Sequence, residues 1–221
     1  DMRQIIRNSM HGVVIVLSVV IATFTAQAAN SITLVVFGDS LSAGYGLEKE
    51  FAFPARLGEA LTAKGYATKA VNAGVYGDTT AGGRARLAWT LGDDVDAVIL
   101  ELGANDALRG LGTEQAYNNL AAMLKVLADK KIPTLLAGMH APPNMGEDYG
   151  KAFDQVYQRL NAEFDIIFYP FFLDGVAANP ALNIEDGIHP NPAGVDVIVE
   201  RILPDVERLL KRLEPQPGGA S

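Results

Sequence analysis

Short apolar runs alternate with longer amphipathic stretches from residue 31 onward, and this alternation constrains the fold more than any other feature of the chain. The short runs are rich in aliphatic and β-branched residues, which is typical of strands buried on both faces. We therefore expect a buried strand in each run. The five runs lie at 32–37, 68–73, 97–102, 134–138 and 166–169.

The stretches between these runs carry apolar residues at helical spacing, as at Leu120, Met123, Leu124 and Leu127. They predict helices at 53–64, 80–91, 113–129 and 149–164, with a last helix at 192–213. Regular alternation of strand and helix indicates a parallel sheet with helices on both faces. We expect an α/β fold, a three-layer α/β/α sandwich whose five-stranded parallel sheet has the flavodoxin-like order 2-1-3-4-5.

Charge and cysteine content exclude several classes of function. The 221 residues include 18 Lys and Arg against 26 Asp and Glu, a formal net charge of −8, and no basic block that could neutralise phosphates. We therefore expect no nucleic-acid partner. The chain has no cysteine, which excludes disulfides, thiolate zinc sites and a cysteine nucleophile.

The first 28 residues have the pattern of a secretory signal peptide. Arg3 and Arg7 form a positive segment, residues 13–24 are apolar, and residues 26–28 read Ala-Gln-Ala, a cleavage-site pattern. The apolar segment is short for a membrane span, so we expect a periplasmic or secreted protein with no stable membrane insertion after cleavage; an uncleaved anchor is the alternative. The predicted organisation is a signal peptide at 1–28, one domain at 29–214 and a disordered tail at 215–221.

Polar residues collect in the segments that follow the predicted strands, which is where parallel α/β sheets bind ligands. Ser40 follows the first strand and a Gly-Asp pair, so its hydroxyl can project from a tight turn. A hydroxyl nucleophile needs a base, and His189 has an acid, Asp186, three residues before it. These residues predict a catalytic triad in which Asp186 orients His189 and His189 deprotonates Ser40.

Three hydrogen-bond donors are also expected at these strand ends. They are the backbone N–H groups of Ser40 and Gly77 and the side-chain amide of Asn105, and together they predict an oxyanion hole. Turn or helix-cap chemistry explains each residue taken alone, but four separate loops that each supply one part of an acyl-transfer site favour the functional interpretation. Their acidic neighbours are expected to hydrogen-bond the loop backbone: Asp39, Asp78 and Asp106.

The same motifs resemble, in order and separation, the four blocks of the SGNH (GDSL) hydrolase superfamily. They are Gly-Asp-Ser-Leu-Ser at 38–42, Gly77, Gly-Ala-Asn-Asp at 103–106 and Asp-Gly-Ile-His at 186–189. The resemblance extends from residue 32 to about residue 213. Within the superfamily, these motifs are similar to those of the bacterial periplasmic thioesterase and lysophospholipase group and its arylesterase relatives. It implies the same triad and the same oxyanion hole as the residues themselves predict.

The resemblance implies a serine hydrolase that cleaves carboxylic esters and thioesters of small molecules through an acyl-serine intermediate, with no cofactor and no metal. The loops after the third and fourth strands are expected to line an acyl groove with Leu108, Leu111, His140 and Met145. Alternatives are a carbohydrate or small-ester deacetylase on the same fold, a metal-dependent phosphoesterase and a non-catalytic binding protein. The sequence has neither the His-Glu-x-x-His spacing of a metal site nor the Gly-x-Ser-x-Gly turn of an α/β-hydrolase.

Overall fold

A computed structural model describes residues 31–214; the predicted signal peptide and the predicted tail lie outside the described residues. The strands are β1 (Ile32–Gly38), β2 (Thr68–Gly74), β3 (Ala97–Glu101), β4 (Thr134–Ala137) and β5 (Ile167–Tyr169). The helices are α1 (Ser40–Ala43), α2 (Phe53–Ala63), α3 (Thr80–Thr90), α4 (Ala104–Leu108), α5 (Thr113–Asp129), α6 (Glu147–Glu163) and α7 (Pro192–Lys211). Two 3₁₀ turns lie at Lys49–Phe51 and Pro143–Met145.

The strands form one parallel sheet in the order β2-β1-β3-β4-β5, which confirms the predicted α/β class and strand order. The connection through α2 runs from β1 to β2, whereas α3, α5 and α6 connect strands in the opposite direction across the sheet. Because such crossovers are right-handed, the two groups of helices cover opposite faces. After β5, α7 returns to pack beside α2. The direction reverses at β1, so a crevice for ligands is expected at the carboxyl ends of β1 and β3.

The central strands β1, β3 and β4 are buried along most of their length, while the edge strand β2 is partly exposed. Strand register aligns Gly38 with both Gly74 and Glu101, and Glu101 with Ala137. The loops after these four strands therefore leave the sheet at one level of its carboxyl edge. Within residues 31–214, no helix has the length and apolar character needed to cross a bilayer.

Candidate active site

Ser40 is the first residue of α1, a helix of a single turn. The helix cap is Asp39, whose carboxylate accepts a backbone N–H of that turn at 2.9 Å. Gly44 ends the helix with a φ of 84°, a left-handed conformation that favours glycine. A Cβ on Gly74 would lie 2.5 Å from the backbone nitrogen of Ala43, so glycine at the end of β2 allows the strand to approach the helix this closely.

His189 joins Ser40 to Asp186 in a continuous hydrogen-bonded chain. Its Nε2 lies 2.9 Å from Ser40 Oγ, and its Nδ1 lies 2.6 Å from Asp186 Oδ2. Asp186 Oδ1 accepts the backbone N–H groups of Ile188 at 2.9 Å and of His189 at 3.0 Å. Burial raises the pKa of Asp186, but these hydrogen bonds lower it by more, so the pKa lies below its usual value. An ionised Asp186 holds the ring tautomer in which Nε2 accepts the Ser40 proton.

The predicted oxyanion donors are placed around the same turn. Among the hydrogen bonds of residues 31–214, none uses the N–H of Ser40 or of Gly77. Gly77 has a φ of 74°, and its carbonyl accepts a hydrogen bond from Arg109 at 2.9 Å, which holds the Gly77–Asp78 peptide that follows the N–H donor. Asn105 Nδ2 donates to Asp39 Oδ2 at 3.1 Å, so its second hydrogen remains available to a ligand.

Arg86 of α3 ties the loops after β1 and β2 together, a role that sequence analysis did not predict. Its guanidinium donates to the carbonyl of Gly38 at 2.8 Å, to the carbonyl of Ala73 at 2.9 Å and to the carboxylate of Asp78 at 2.7 Å. Asp78 therefore binds an arginine side chain instead of the predicted loop backbone. No local signal marks Arg86, because an arginine in an amphipathic helix usually faces solvent.

Two fully buried carboxyl groups lie beneath the nucleophile turn. Glu101 Oε2 accepts the Ser42 hydroxyl at 2.6 Å and the Asp39 N–H at 3.3 Å, while its Oε1 has no hydrogen-bond partner among the described residues. Burial raises the pKa of Asp39 to about 7. Burial, together with the nearby Asp39, raises the pKa of Glu101 well above its usual range. Both oxygens of Asp39 accept hydrogen bonds, whereas Glu101 Oε1 accepts none among the described residues, so Asp39 is the better placed of the two to carry a negative charge.

The loops after β3 and β4 meet beside the site. A Cβ on Gly110 would lie 2.9 Å from Met145 Cε, so these two loops are in contact. The carbonyl of Leu111 accepts the Tyr149 hydroxyl at 2.8 Å, which anchors the first loop to α6. Leu108 is an exposed apolar side chain on the same segment.

His140 is held by different partners. Its Nδ1 lies 2.6 Å from Asp154 Oδ1, and its ring packs 4.3 Å from that of Phe171. The sequence offered no acidic neighbour for His140, because Asp154 is fourteen residues away and is supplied by α6. A contribution of His140 to the substrate groove stays a prediction.

A parallel α/β sandwich with a Ser-His-Asp chain at its carboxyl edge, flanked by uncommitted N–H donors, defines a serine hydrolase of the flavodoxin-like fold. The chain belongs to the GDSL-like Lipase/Acylhydrolase family, whose sequence profile matches residues 36–197. It is therefore an acylhydrolase, and the resemblance seen in the sequence is confirmed.

Named relatives cover most of the chain. Esterase TesA of Pseudomonas aeruginosa is 41% identical over 187 residues, 84% of this chain and 92% of that protein. The arylesterase of Vibrio mimicus is 35% identical over 190 residues, 86% of this chain and 94% of that protein. The crystal structure of TesA aligns with a TM-score of 0.77 and 39% identity over 80% of this chain and 99% of that one. That of AlinE4, an SGNH-hydrolase family esterase, aligns with a TM-score of 0.69 and 43% identity over 82% and 98%.

Proposed function

We propose that this chain hydrolyses carboxylic esters and thioesters through an acyl-serine intermediate. His189 Nε2 takes the proton of Ser40 as Oγ attacks the carbonyl carbon, and Asp186 stabilises the imidazolium that forms. The N–H groups of Ser40 and Gly77 and the amide of Asn105 stabilise the oxyanion. His189 then protonates the leaving group, and water releases the acid by the same steps. None of these steps needs a cofactor.

The observation that carries this proposal is the unbroken chain from Ser40 through His189 to Asp186, with contacts of 2.9 and 2.6 Å. Thioesters are included because a relative from Escherichia coli, 40% identical over 176 residues, is named thioesterase 1/protease 1/lysophospholipase L1. That relative spans 79% of this chain, and 82% of its own length is covered. The same carbonyl chemistry serves each of these leaving groups.

A fluorophosphonate probe tests the mechanism. We expect one label per chain, located at Ser40 by peptide mass analysis, and Ser40→Ala should abolish the label and lower kcat by at least about 10³-fold, because the nucleophile is lost. Ser42→Ala is the matched control: this serine lies two residues on, but its hydroxyl donates to Glu101. The Ser42→Ala protein should still be labelled at Ser40. A label elsewhere, or a Ser40→Ala enzyme near wild-type activity, would contradict the mechanism.

We further propose that an apolar groove formed by Leu108, Leu111 and Met145 holds the acyl chain. Support comes from the contact between their two loops and from the exposure of Leu108, three positions after Asn105 in the chain. When the carbonyl carbon of a bound ester lies at Ser40 Oγ, its acyl chain would extend along these two loops.

An export signal at 1–28 and a periplasmic or secreted location are also proposed, supported by the charge, the apolar length and the Ala-Gln-Ala pattern of that segment. When it is expressed with residues 1–28 present in a Gram-negative host, the protein should be recovered from the periplasm or the medium with the intact mass of a chain that begins at Ala29. A mass that retains residues 1–28 in the membrane fraction would instead support the uncleaved anchor.

A further inference from the structure

Exposed large apolar side chains are concentrated in the loops that carry the candidate site. Residues 31–214 expose seven such side chains, and five of them lie within three positions of a proposed catalytic residue or two positions after the end of α1. These five are Tyr45, Val75, Tyr76, Leu108 and Ile188. Clusters of this kind mark ligand or partner surfaces, whereas single exposed apolar residues do not.

Two of these side chains form an aromatic wall, which we define as Tyr45 and Tyr76. The Tyr45 ring packs 4.5 Å from the His189 ring, and Tyr76 packs edge-on against Tyr45 at 5.3 Å. Tyr45 is 44% exposed and Tyr76 is 58% exposed, so one side of the wall faces solvent. The backbone N–H of Tyr45 donates to the Ser40 carbonyl at 3.1 Å, which fixes the wall to the nucleophile turn.

The chemistry of acyl transfer determines what must lie beside His189. Ser40 Oγ forms a bond to the carbonyl carbon while its proton moves to His189 Nε2; the bond from that carbon to the leaving oxygen then breaks, and the oxygen takes the proton from Nε2. The acyl group stays on Ser40, and a neutral alcohol or phenol departs. The leaving oxygen therefore lies within hydrogen-bond reach of Nε2, next to the side chains that pack on the imidazole.

We propose that Tyr45, Tyr76 and Ile188 form a leaving-group subsite that favours flat aromatic alcohols. Ile188 precedes His189 in the chain and is 44% exposed, so it offers an apolar surface one residue from the proposed base. Aromatic rings bind one another edge-on or offset, and two tyrosines offer both arrangements. This inference rests on the proposed function, since it needs Ser40 and His189 to act as stated.

The subsite is tested with phenyl, cyclohexyl and ethyl esters of one acid, which all give the same acyl-enzyme. Tyr76→Ala should lower kcat/KM for the phenyl ester by roughly two- to twelvefold, the worth of one aromatic pair. For the ethyl ester, the same substitution should change kcat/KM by less than twofold. For the cyclohexyl ester, it should lower kcat/KM by less than it does for the phenyl ester. Tyr76→Phe keeps the ring and should keep the preference. Trp89→Ala, which removes an exposed aromatic residue near the far end of α3, should change none of these values.

The outcomes separate the subsite from the mechanism. If Tyr76→Ala lowers kcat/KM for all three esters equally, or for none, the leaving-group subsite is wrong. Fluorophosphonate labelling of Ser40 in the same Tyr76→Ala protein reports on the mechanism independently. A wild-type protein that is not labelled at Ser40 would overturn the proposed function itself.

Discussion

Two histidines of the described residues are each paired with a carboxylate at 2.6 Å, His189 with Asp186 and His140 with Asp154. Their surroundings differ. The side chain of His189 is 16% exposed and has Ser40 Oγ on its other nitrogen, whereas that of His140 is 49% exposed. A carboxylate partner therefore does not distinguish the proposed base from His140. What distinguishes His189 is that its Nε2 lies within hydrogen-bond distance of a hydroxyl, that of Ser40.

Replacing Asp186 by asparagine tests this distinction. Asparagine can place its NH2 group where Asp186 Oδ2 accepts from the ring, which favours the wrong tautomer of His189. It is also neutral, so the imidazolium loses its counter-charge. We expect kcat to fall by about 10⁴-fold, the loss measured for the same substitution in another serine triad. Steady-state hydrolysis of a short ester gives kcat, and circular dichroism checks that the fold is retained.

The second histidine pair provides the matched control. Asp154→Asn removes a carboxylate at the same distance from an imidazole, but at a half-exposed position on α6. We expect kcat for the short ester to stay within twofold of wild type. Equal losses in the two variants would mean that Asp186 acts through general electrostatics and not through His189.

At the scale of elements, long helices were predicted closely and short ones were missed. The stretch 113–129 predicts α5 at its observed ends, and the other long helices differ from prediction by one or two residues. α1 and α4 contain four and five residues, too few to show a helical period. Both helices begin two or three positions after the last residue of a strand, and their ends depend on contacts such as that of Asp39 with the first turn of α1.

The loops that follow β3 and β4 are proposed to form the acyl groove, and this proposal predicts how activity depends on acyl chain length. Each methylene group buried in the proposed acyl groove contributes at most about 0.8 kcal/mol, so kcat/KM should rise by up to roughly fourfold per acyl carbon until the groove is filled. Leu111→Ala should flatten this rise, since it removes apolar surface from the groove. A series of esters from acetyl to decanoyl on one leaving group measures the slope.

Val126→Ala is the control for that series, because it shortens a partly exposed aliphatic side chain on α5, away from the loops. Its slope should equal that of the wild type. If acetyl esters are hydrolysed best and efficiency falls with every added carbon, there is no acyl groove, and the deacetylase alternative gains support.

At the scale of the molecule, the site depends on contacts that span most of the chain. Ser40 and His189 are 149 positions apart, yet both were predictable, because parallel strand topology brings strand-end loops to one edge. The residues that support this site could not be predicted from the sequence. Arg86, Glu101 and Tyr45 act through tertiary contacts with other elements, and a glutamate at the end of a buried strand carries no local sign that it lies beneath a nucleophile.

The buried acid pair makes the stability of the whole molecule depend on pH. Burial raises the pKa of Asp39 to about 7 and raises that of Glu101 well above its usual range, whereas both are near 4 in an unfolded chain. Between the unfolded and folded pKa values the folded state binds more protons, so stability falls as pH rises. Asp186 acts in the opposite sense: its pKa is lowered, so its contribution is present at neutral pH and is lost as pH falls.

Glu101→Gln separates these contributions. A glutamine can accept the Ser42 hydroxyl and the Asp39 N–H through its carbonyl, and it cannot ionise. We expect the unfolding free energy of the variant to match that of the wild type near pH 4 and to exceed it increasingly from pH 5 to 8, by up to about 1.4 kcal/mol per pH unit while the wild-type Glu101 stays protonated in the folded state. Urea unfolding at each pH measures the difference, and kcat should stay within threefold because the turn is unchanged. Glu101→Leu, which removes the acceptor, should be less stable than Glu101→Gln at every pH. A Glu101→Gln variant that is less stable than wild type at pH 8 would show instead that Glu101 is ionised beneath Ser40.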